Sequence, residues 1–477
     1  MSEKKSTFYI TTTLPYVNAK PHIGFALEII QADVIARWQR MQGCEVFFNT
    51  GTDEHGLKIY RKAQELGKDT QAYVDENAAQ FDNLKQILNV SYNAFIRTTD
   101  NSHKKAAQEF WRRCAQNGDI YKKNYQVKYC VGCELEKTES ELVDDKCPIH
   151  PNLELELISE ENYFFRFSRY QDELLSLYKQ RPNFVMPAWR LKEITHFVEA
   201  GLDDFSISRL KTKMPWGIAV PGDEDHVMYV WFDALINYIS TLGWPNESGK
   251  YKDFWPGLQV AGKDNLRQQA SMWQAMLLSA GLPPSRQILI HGFINSGGQK
   301  MSKSLGNVVD PFELVNKYGT DALRYYLLAE ITPFEDGDFT MDKFIVRYNA
   351  DLANGLGNLV ARVSNMLEKD AIAINIVADK PAVFAADVRA AIQDYQFHQA
   401  LRILWDQLRM ADEMLSNQKP WEIKDLLKKQ QVIEPIVQVI LQVAQFLQIF
   451  LPNTAENIIK QFSQPQITKG KNLFPRV

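Results

Sequence analysis

A doubly wound, Rossmann-like α/β sheet, interrupted by an insertion with a metal knuckle and followed by an all-α bundle, is the fold class predicted for this chain of 477 residues. Three observations predict it. Strand-like runs at residues 8–13, 45–49 and 258–262 each pass into a polar or glycine-bearing turn and then into helical periodicity, the repeating unit of a nucleotide-binding sheet. Cys130, Cys133, Cys147 and His150 form two closely spaced ligand pairs within the first half. Beyond Met341, apolar residues recur every three or four positions, as in helices that pack together.

Apolar residues make up 45% of the chain, enough for a large core. The formal charge of −4 gives no global attraction to nucleic acid, so any RNA contact must come from local patches. The opening residues are polar and carry no apolar signal core. The most apolar stretch, residues 432–451, is broken by Gln438, Gln442, Gln445 and Gln448, which marks a buried amphipathic helix rather than a membrane span. Five cysteines, three of them clustered, point to a reducing compartment and a metal site rather than a disulfide framework. A cytoplasmic protein without membrane attachment is expected.

The first strand leads through Leu14, Tyr16 and Pro21-His22-Ile23-Gly24-Phe25 into a helix from Ala26 through Leu27, Ile30, Val34, Ile35 and Trp38. A helix starting there aims amide N–H groups at whatever occupies the turn, and His22 adds a donor suited to a phosphate. Gly51-Thr52-Asp53-Glu54-His55-Gly56 closes the next strand. Open α/β sheets bind ligands at that edge, and an acidic residue there suits a substrate ammonium. Lys263 and Asp264 hold the equivalent place after residues 258–262, where they could face phosphate and ribose. Trp231, Ala234 and Tyr238 lie along a strand-to-helix run that reads, by periodicity alone, as a core stripe. Gly297-Gly298-Gln299-Lys300-Met301-Ser302-Lys303-Ser304 is a cationic loop able to close over a polyphosphate.

The two cysteine/histidine hairpins supply four ligands suited to tetrahedral Zn²⁺ in a closed, structural site. The loop between them has few apolar residues, so metal would supply much of its folding energy. Cys44 and Cys114 read as buried hydrophobes. The resulting division is 1–118 and 215–295 for the sheet, 119–214 for the insertion, 296–343 for the cationic loop region and 344–477 for the bundle. Within the bundle, Asn358 and Arg362 share one helical face and could read base edges, and Trp421 could stack on an unpaired base.

Taken together these stretches resemble the methionine-specific branch of the class I aminoacyl-tRNA synthetases. Lys300-Met301-Ser302-Lys303-Ser304 resembles that family's phosphate-binding loop. Pro21-His22-Ile23-Gly24-Phe25 resembles its His-x-Gly-His element, and Gly51 to Gly56 resembles its amino-group site. Asn354-Gly355-Leu356-Gly357-Asn358 through Arg362, with Lys419-Pro420-Trp421, resembles its anticodon-binding elements. The likeness spans residues 8 to 453.

The resemblance implies an ATP site of His22, Gly24, Gly262, Lys263, Asp264, Lys300, Ser302 and Lys303, with His22, Lys300 and Lys303 catalytic. It implies a methionine pocket of Leu14, Tyr16, Asp53, Trp231, Ala234, Leu235, Tyr238 and His291, and anticodon contacts by Asn358, Arg362 and Trp421. It implies one structural zinc, Mg²⁺ carried with ATP, and ATP, L-methionine and tRNA(Met) as partners of a monomer. The insertion is too short to hold the editing domain of the isoleucine, leucine and valine branches.

Two departures stand out. Phe25 replaces the second histidine of its element, and loss of one such donor typically costs about 10²–10³ in rate. Either His55 or Lys20 substitutes, or the enzyme is slow, or the position matters less in this branch. Asn265-Leu266-Arg267-Gln268-Gln269 stands where the family has an isoleucine and a Phe-His pair. The rival readings are a tRNA-independent nucleotidyltransferase of the same core, such as pantothenate synthetase, and a non-catalytic RNA-binding paralogue. The helical C-terminal region argues against the first and the lysine loop against the second.

Overall fold

Branched and aromatic side chains fill Thr7–Thr12 (β1) and Glu45–Thr52 (β2), and both strands are buried along nearly their whole length, as strands covered on both faces must be. They form the middle of a six-stranded sheet with Ala94–Arg97 (β3), Val185–Met186 (β4), Leu258–Gly262 (β5) and Gln287–His291 (β6), in the order β3-β2-β1-β5-β6-β4. The β3–β2, β2–β1, β1–β5 and β6–β4 pairings are parallel. From β1 the chain steps outward through β2 to β3, crosses to the far edge at β4, and then fills the gap beside β1 with β5 and β6. The β1/β5 boundary is thus the topological switch point, where such sheets open a crevice at their carboxyl ends.

The computed structural model describes residues 5–133, 135–137, 141–301, 306–374, 382–464 and 466–477. They fold as two compact units. The first holds residues up to 21, 42–85 and 91–290; the second holds 22–41, 86–90 and 291–477.

In the first unit the sheet is backed by a core rich in aromatic rings. Phe110, on the Asn101–Gln116 helix, stacks on Trp273 at 5.7 Å and meets Phe232 and Trp244 edge-on. The insertion is built on a long antiparallel hairpin, Ile120–Cys130 against Glu156–Phe165, within a four-stranded sheet. Strand β4 comes from inside the interval 119–214 that the sequence assigned wholly to the insertion. Two residues between Pro182 and Pro187 are too few to show a period. Cys114 is fully buried as expected, but Cys44 is only half-buried, with its Sγ 3.1 Å from Ser6 Oγ.

The second unit begins with the Ile23–Met41 helix, which starts three residues earlier than the apolar period indicated. Its helical bundle follows from Met341. Met341–Arg347, a π-helical Tyr348–Gly357 and Asn358–Lys369 run on as one rod. The wider π turns leave carbonyls open to other donors, and the Trp405 indole N–H donates to Asp351 O at 3.1 Å. The Leu426–Phe450 helix is long and apolar enough to span a membrane by length and composition alone. Its apolar face is spent inside the bundle, however: Ile433, Ile436, Val437, Ile440, Ala444 and Leu447 are all buried.

Candidate functional site

In the first unit the chain leaves the adjacent strands β1 and β2 side by side. The Asp53 N–H donates to Pro15 O (3.0 Å) and the Val17 N–H donates to Asp53 O (3.3 Å), which sets Tyr16 beside Asp53. Asp53 is only 4% exposed, so a nearly desolvated acid stands at the carboxyl edge of the sheet. Tyr16 and Trp231 both pack on a small cluster of Tyr129, Tyr229 and Val230. The structure therefore brings together Tyr16, Asp53 and Trp231, from three separate stretches of sequence. The Trp231 indole N–H is buried and has no acceptor among the described residues.

Ala234, Leu235 and Tyr238 are buried along the segment that follows. The Tyr238 hydroxyl accepts from Gln269 Nε2 (2.7 Å), and its carbonyl accepts from the Tyr9 hydroxyl (2.8 Å), so this ring is a fixed post. Leu14 is half-buried. Gly262 ends β5 in the core, and Lys263 and Asp264 open a short 3-10 turn, with Asp264 exposed.

A polar layer next to Asp53 was not read from the sequence. Glu54 is fully buried and accepts a two-pronged ion pair from Arg97 (2.6 and 2.9 Å), with Thr52 Oγ1 (2.7 Å) and Thr99 adding hydrogen bonds. Arg209 is buried with its guanidinium 4.5 Å from the Tyr229 ring centre and 5.4 Å from that of Tyr129. His55, one candidate to replace the missing histidine at Phe25, is almost wholly buried and gives its Nδ1 to Asp233 at 3.0 Å. Lys20, the other candidate, is exposed.

The knuckle sits at the tip of the Ile120–Cys130/Glu156–Phe165 hairpin, past its last pair, Tyr129 and Glu156. Ligand atoms of Cys130, Cys133, Cys147 and His150 all lie within 4.8 Å of one another. Individual spacings of 3.2 Å (Cys133 to His150), 3.5 Å (Cys133 to Cys147) and 3.8 Å (Cys130 to His150) are those of corners around one small ion, since Zn–S is about 2.3 Å. A Cβ on Gly132 would come within 2.6 Å of the His150 ring, so glycine is needed to admit the fourth ligand. These residues can hold a metal ion, and the thiolate-rich donor set fits Zn²⁺. Val143, Ile149 and Leu153 on this tip are exposed, so apolar packing among the described residues contributes little to it. Cys147→Ser is expected to lower the metal that the purified chain takes up, measured by elemental analysis, and to open the tip to protease. Because Tyr129 and Val131 at its root pack with Tyr16 and Trp231, the change should also disturb the cluster beside Asp53.

In the second unit His22 opens the Ile23–Met41 helix, its carbonyl accepting from the Phe25 and Ala26 N–H groups. Its Nδ1 accepts from the Gly24 N–H at 3.0 Å, so a neutral ring carries its proton on Nε2, turned outward as a donor. The residue is exposed, yet the protein mass around its imidazole lowers its pKa, which favours that neutral form. A Cβ on Gly24 would come within 2.8 Å of this ring, which fixes glycine there.

The Ile23 N–H donates to Val309 O at 3.1 Å, placing the start of this helix against the stem of the lysine loop. That loop leaves Ile294–Ser296 through Gly297 and Gly298, whose φ angles of 62° and 75° make the tight turn into Gln299–Lys300. Lys300 is exposed, its ammonium 5.4 Å from the Phe293 ring centre. Ser302 and Lys303 lie outside the described residues. His291 is buried, with Nε2 2.8 Å from Glu28 Oε2 and Nδ1 2.7 Å from Gly292 O.

Farther along the second unit, Asn358 is exposed one helical turn from Arg362. Arg362 pairs with Asp412 (2.6 Å) and lies 5.6 Å from the centre of the Trp421 ring, which is 48% exposed. The guanidinium of Arg362 and the part-exposed ring of Trp421 thus meet at one place on the surface, with Asn358 one helical turn away from Arg362.

The sequence matches the family described as tRNA synthetases class I (M) over residues 8–154 and 136–364. A methionine–tRNA ligase of a Nostoc species is 42% identical over 97% of this chain and 91% of that protein. One from Thermosynechococcus vestitus is 50% identical over 76% of this chain and 69% of that protein. Among solved structures, Mycobacterium tuberculosis methionyl-tRNA synthetase in complex with methionyl-adenylate aligns with a TM-score of 0.92 at 36% identity, over 99% of this chain and 100% of that one.

Proposed function

Because this chain belongs to the class I tRNA synthetases of the methionine type, we infer that it is an ATP-dependent methionine–tRNA ligase. It activates L-methionine with ATP to methionyl-adenylate and pyrophosphate, then transfers the methionyl group to the 3′ end of tRNA(Met). The observation that carries the amino-acid assignment is the meeting of a buried acid, Asp53, with the rings of Tyr16 and Trp231. An ammonium needs the acid. A flexible thioether suits the aromatic walls, where sulfur contacts add about 0.3–1.5 kcal/mol each.

In this reading the methionine carboxylate attacks the α-phosphorus of ATP, which enters as its magnesium complex, and the P–O bond to pyrophosphate breaks. The protein positions the reactants and stabilises charge. Asp53 holds the ammonium, while Tyr16, Trp231, Ala234, Leu235 and Tyr238 shape the side-chain slot, with Leu14 and His291 as its further members. His22 donates from Nε2 to a phosphate oxygen. Lys300 and Lys303 receive the departing pyrophosphate, and with Phe25 unable to donate they take a larger share of its charge. Gly24, Gly262, Lys263, Asp264 and Ser302 complete the nucleotide site. Zn²⁺ at the knuckle is structural. Asn358, Arg362 and Trp421 read the anticodon.

Methionine-dependent ATP–pyrophosphate exchange tests this reading; tRNA binding without exchange would overturn it. Lys303→Ala should slow exchange by about 10²-fold, the scale of losing one preorganised donor. The dissociation constant for methionine, held by other residues, should stay nearly constant, and a large rise in it would displace Lys303 from the phosphate role.

A further inference from the structure

The acid Asp233 has no part in the chemistry described above, yet it is fully buried on the short Val230–Ala234 helix, between Trp231 and Ala234. Its Oδ2 lies 3.0 Å from His55 Nδ1. Its Oδ1 faces His103 Nε2 at 3.8 Å, across a gap too long for a hydrogen bond. His103 is in turn held through Nδ1 by Ser240 Oγ at 2.9 Å. Burial pushes the Asp233 carboxyl up, but His55 and His103 pull it below the usual range, so it is a buried carboxylate accepting from His55.

His55 stands two residues after Asp53. The loop between is pinned by Glu54 to Arg97 and by the Trp216 indole N–H donating to Glu54 O, with the Trp216 ring centre 5.8 Å from that of His55. His55 therefore cannot swing without moving Asp53. The His55–Asp233 bond joins the loop holding the ammonium ligand to the helix holding the side-chain walls. A nearly dry charged hydrogen bond fixes that distance more firmly than apolar contact, because breaking it strands a buried charge.

We propose that Asp233 is a positioning residue for the amino-acid side of the site, setting the distance between the ammonium acceptor and the thioether slot through His55. This rests on the assignment of Asp53 and Trp231 to the methionine pocket. It gives one buried group control over both ends of the substrate: its charged head and its apolar tail.

Asp233→Asn keeps the shape and removes the charge, and His55→Gln tests the other partner without touching the helix. In exchange assays on the full chain, each should raise KM for methionine about 10–100-fold, the range for losing a charge-assisted bond, with KM for ATP unchanged. The preference for methionine over 4-(methylthio)butanoate, which lacks the ammonium, should shrink in parallel. His103→Gln should have a smaller effect, given its longer distance. An unchanged KM for methionine in both variants, or equal rises in both KM values with a lowered thermal midpoint, would make Asp233 merely structural and overturn the proposal. If the wild-type chain shows no methionine-dependent exchange, the proposed function fails, and equilibrium methionine affinity of the variants still decides the role of Asp233.

Discussion

Asp53→Ala is expected to lower kcat/KM for methionine by about 10²–10³ in ATP–pyrophosphate exchange, with KM for ATP unchanged. The size follows from burial. An ammonium that enters a nearly dry site and loses the carboxylate paired with it is left undercompensated, at a cost of about 3–5 kcal/mol, and 1.4 kcal/mol is tenfold. The backbone bonds that shape this turn, Asp53 N–H to Pro15 O and Val17 N–H to Asp53 O, do not involve the side chain. The backbone frame of this turn should therefore survive the change. Asp53→Asn is the sharper variant, since it keeps volume and removes charge only. A loss below about fivefold, or an equal loss against ATP, would place the ammonium elsewhere.

Asp53 was legible in the sequence as an acid at the strand end where such sheets bind ligands, but its reading as an ammonium acceptor came from the resemblance of Gly51 to Gly56 to the family's amino-group site. His22 and the glycine-hinged lysine loop likewise took their phosphate reading from the resemblance, whereas the four metal ligands were legible from their spacing. What the sequence hid are partners paired by folding. Glu54 meets Arg97 from 43 positions away, and His55 meets Asp233 from 178 positions away. No local period predicts either pairing, and both acids resemble ordinary strand-end or helix residues until burial is known. His55, one of two candidates to stand in for a donor at Phe25, instead has a carboxylate as its partner. Strand β4 was hidden for a different reason. It contributes only Val185–Met186 to the sheet, and its pairing with Ile288 and Leu289 is decided by the neighbour rather than by its own alternation. The early start of the Ile23–Met41 helix has a polar cause. His22 O accepts the first N–H groups there, so the helix begins before its apolar stripe does.

Arg324→Leu is expected to destabilise the second unit by about 3–5 kcal/mol, the range for stranding one member of a buried ion pair. For a body of this size that lowers its thermal midpoint by about 10 °C. Arg324 and Asp33 are both wholly buried and 2.9 Å apart. The same guanidinium donates to Phe450 O (2.7 Å), Ile449 O (3.2 Å) and Leu88 O (3.0 Å). It thereby satisfies two carbonyls at the end of the Leu426–Phe450 helix, which have no partner within their own helix, and places a cation at that helix's negative pole. Arg37 also reaches Asp33, at 2.7 Å, and Asn89 O, at 2.6 Å, so part of the charge compensation would remain. The missing fork, more than the missing charge, should then dominate the loss. Two variants separate these terms. Arg324→Lys restores the charge but offers one ammonium to acceptors spread around a planar group, and should recover less than half of the stability. Adding Asp33→Asn to Arg324→Leu removes the stranded carboxylate and should recover the charge component alone. Denaturant unfolding with hydrogen-exchange readout on residues 426–462 would distinguish them. Full recovery by lysine would reduce Arg324 to a counter-ion, and no loss in the leucine variant would show that Arg37 and Asn89 hold this junction without it.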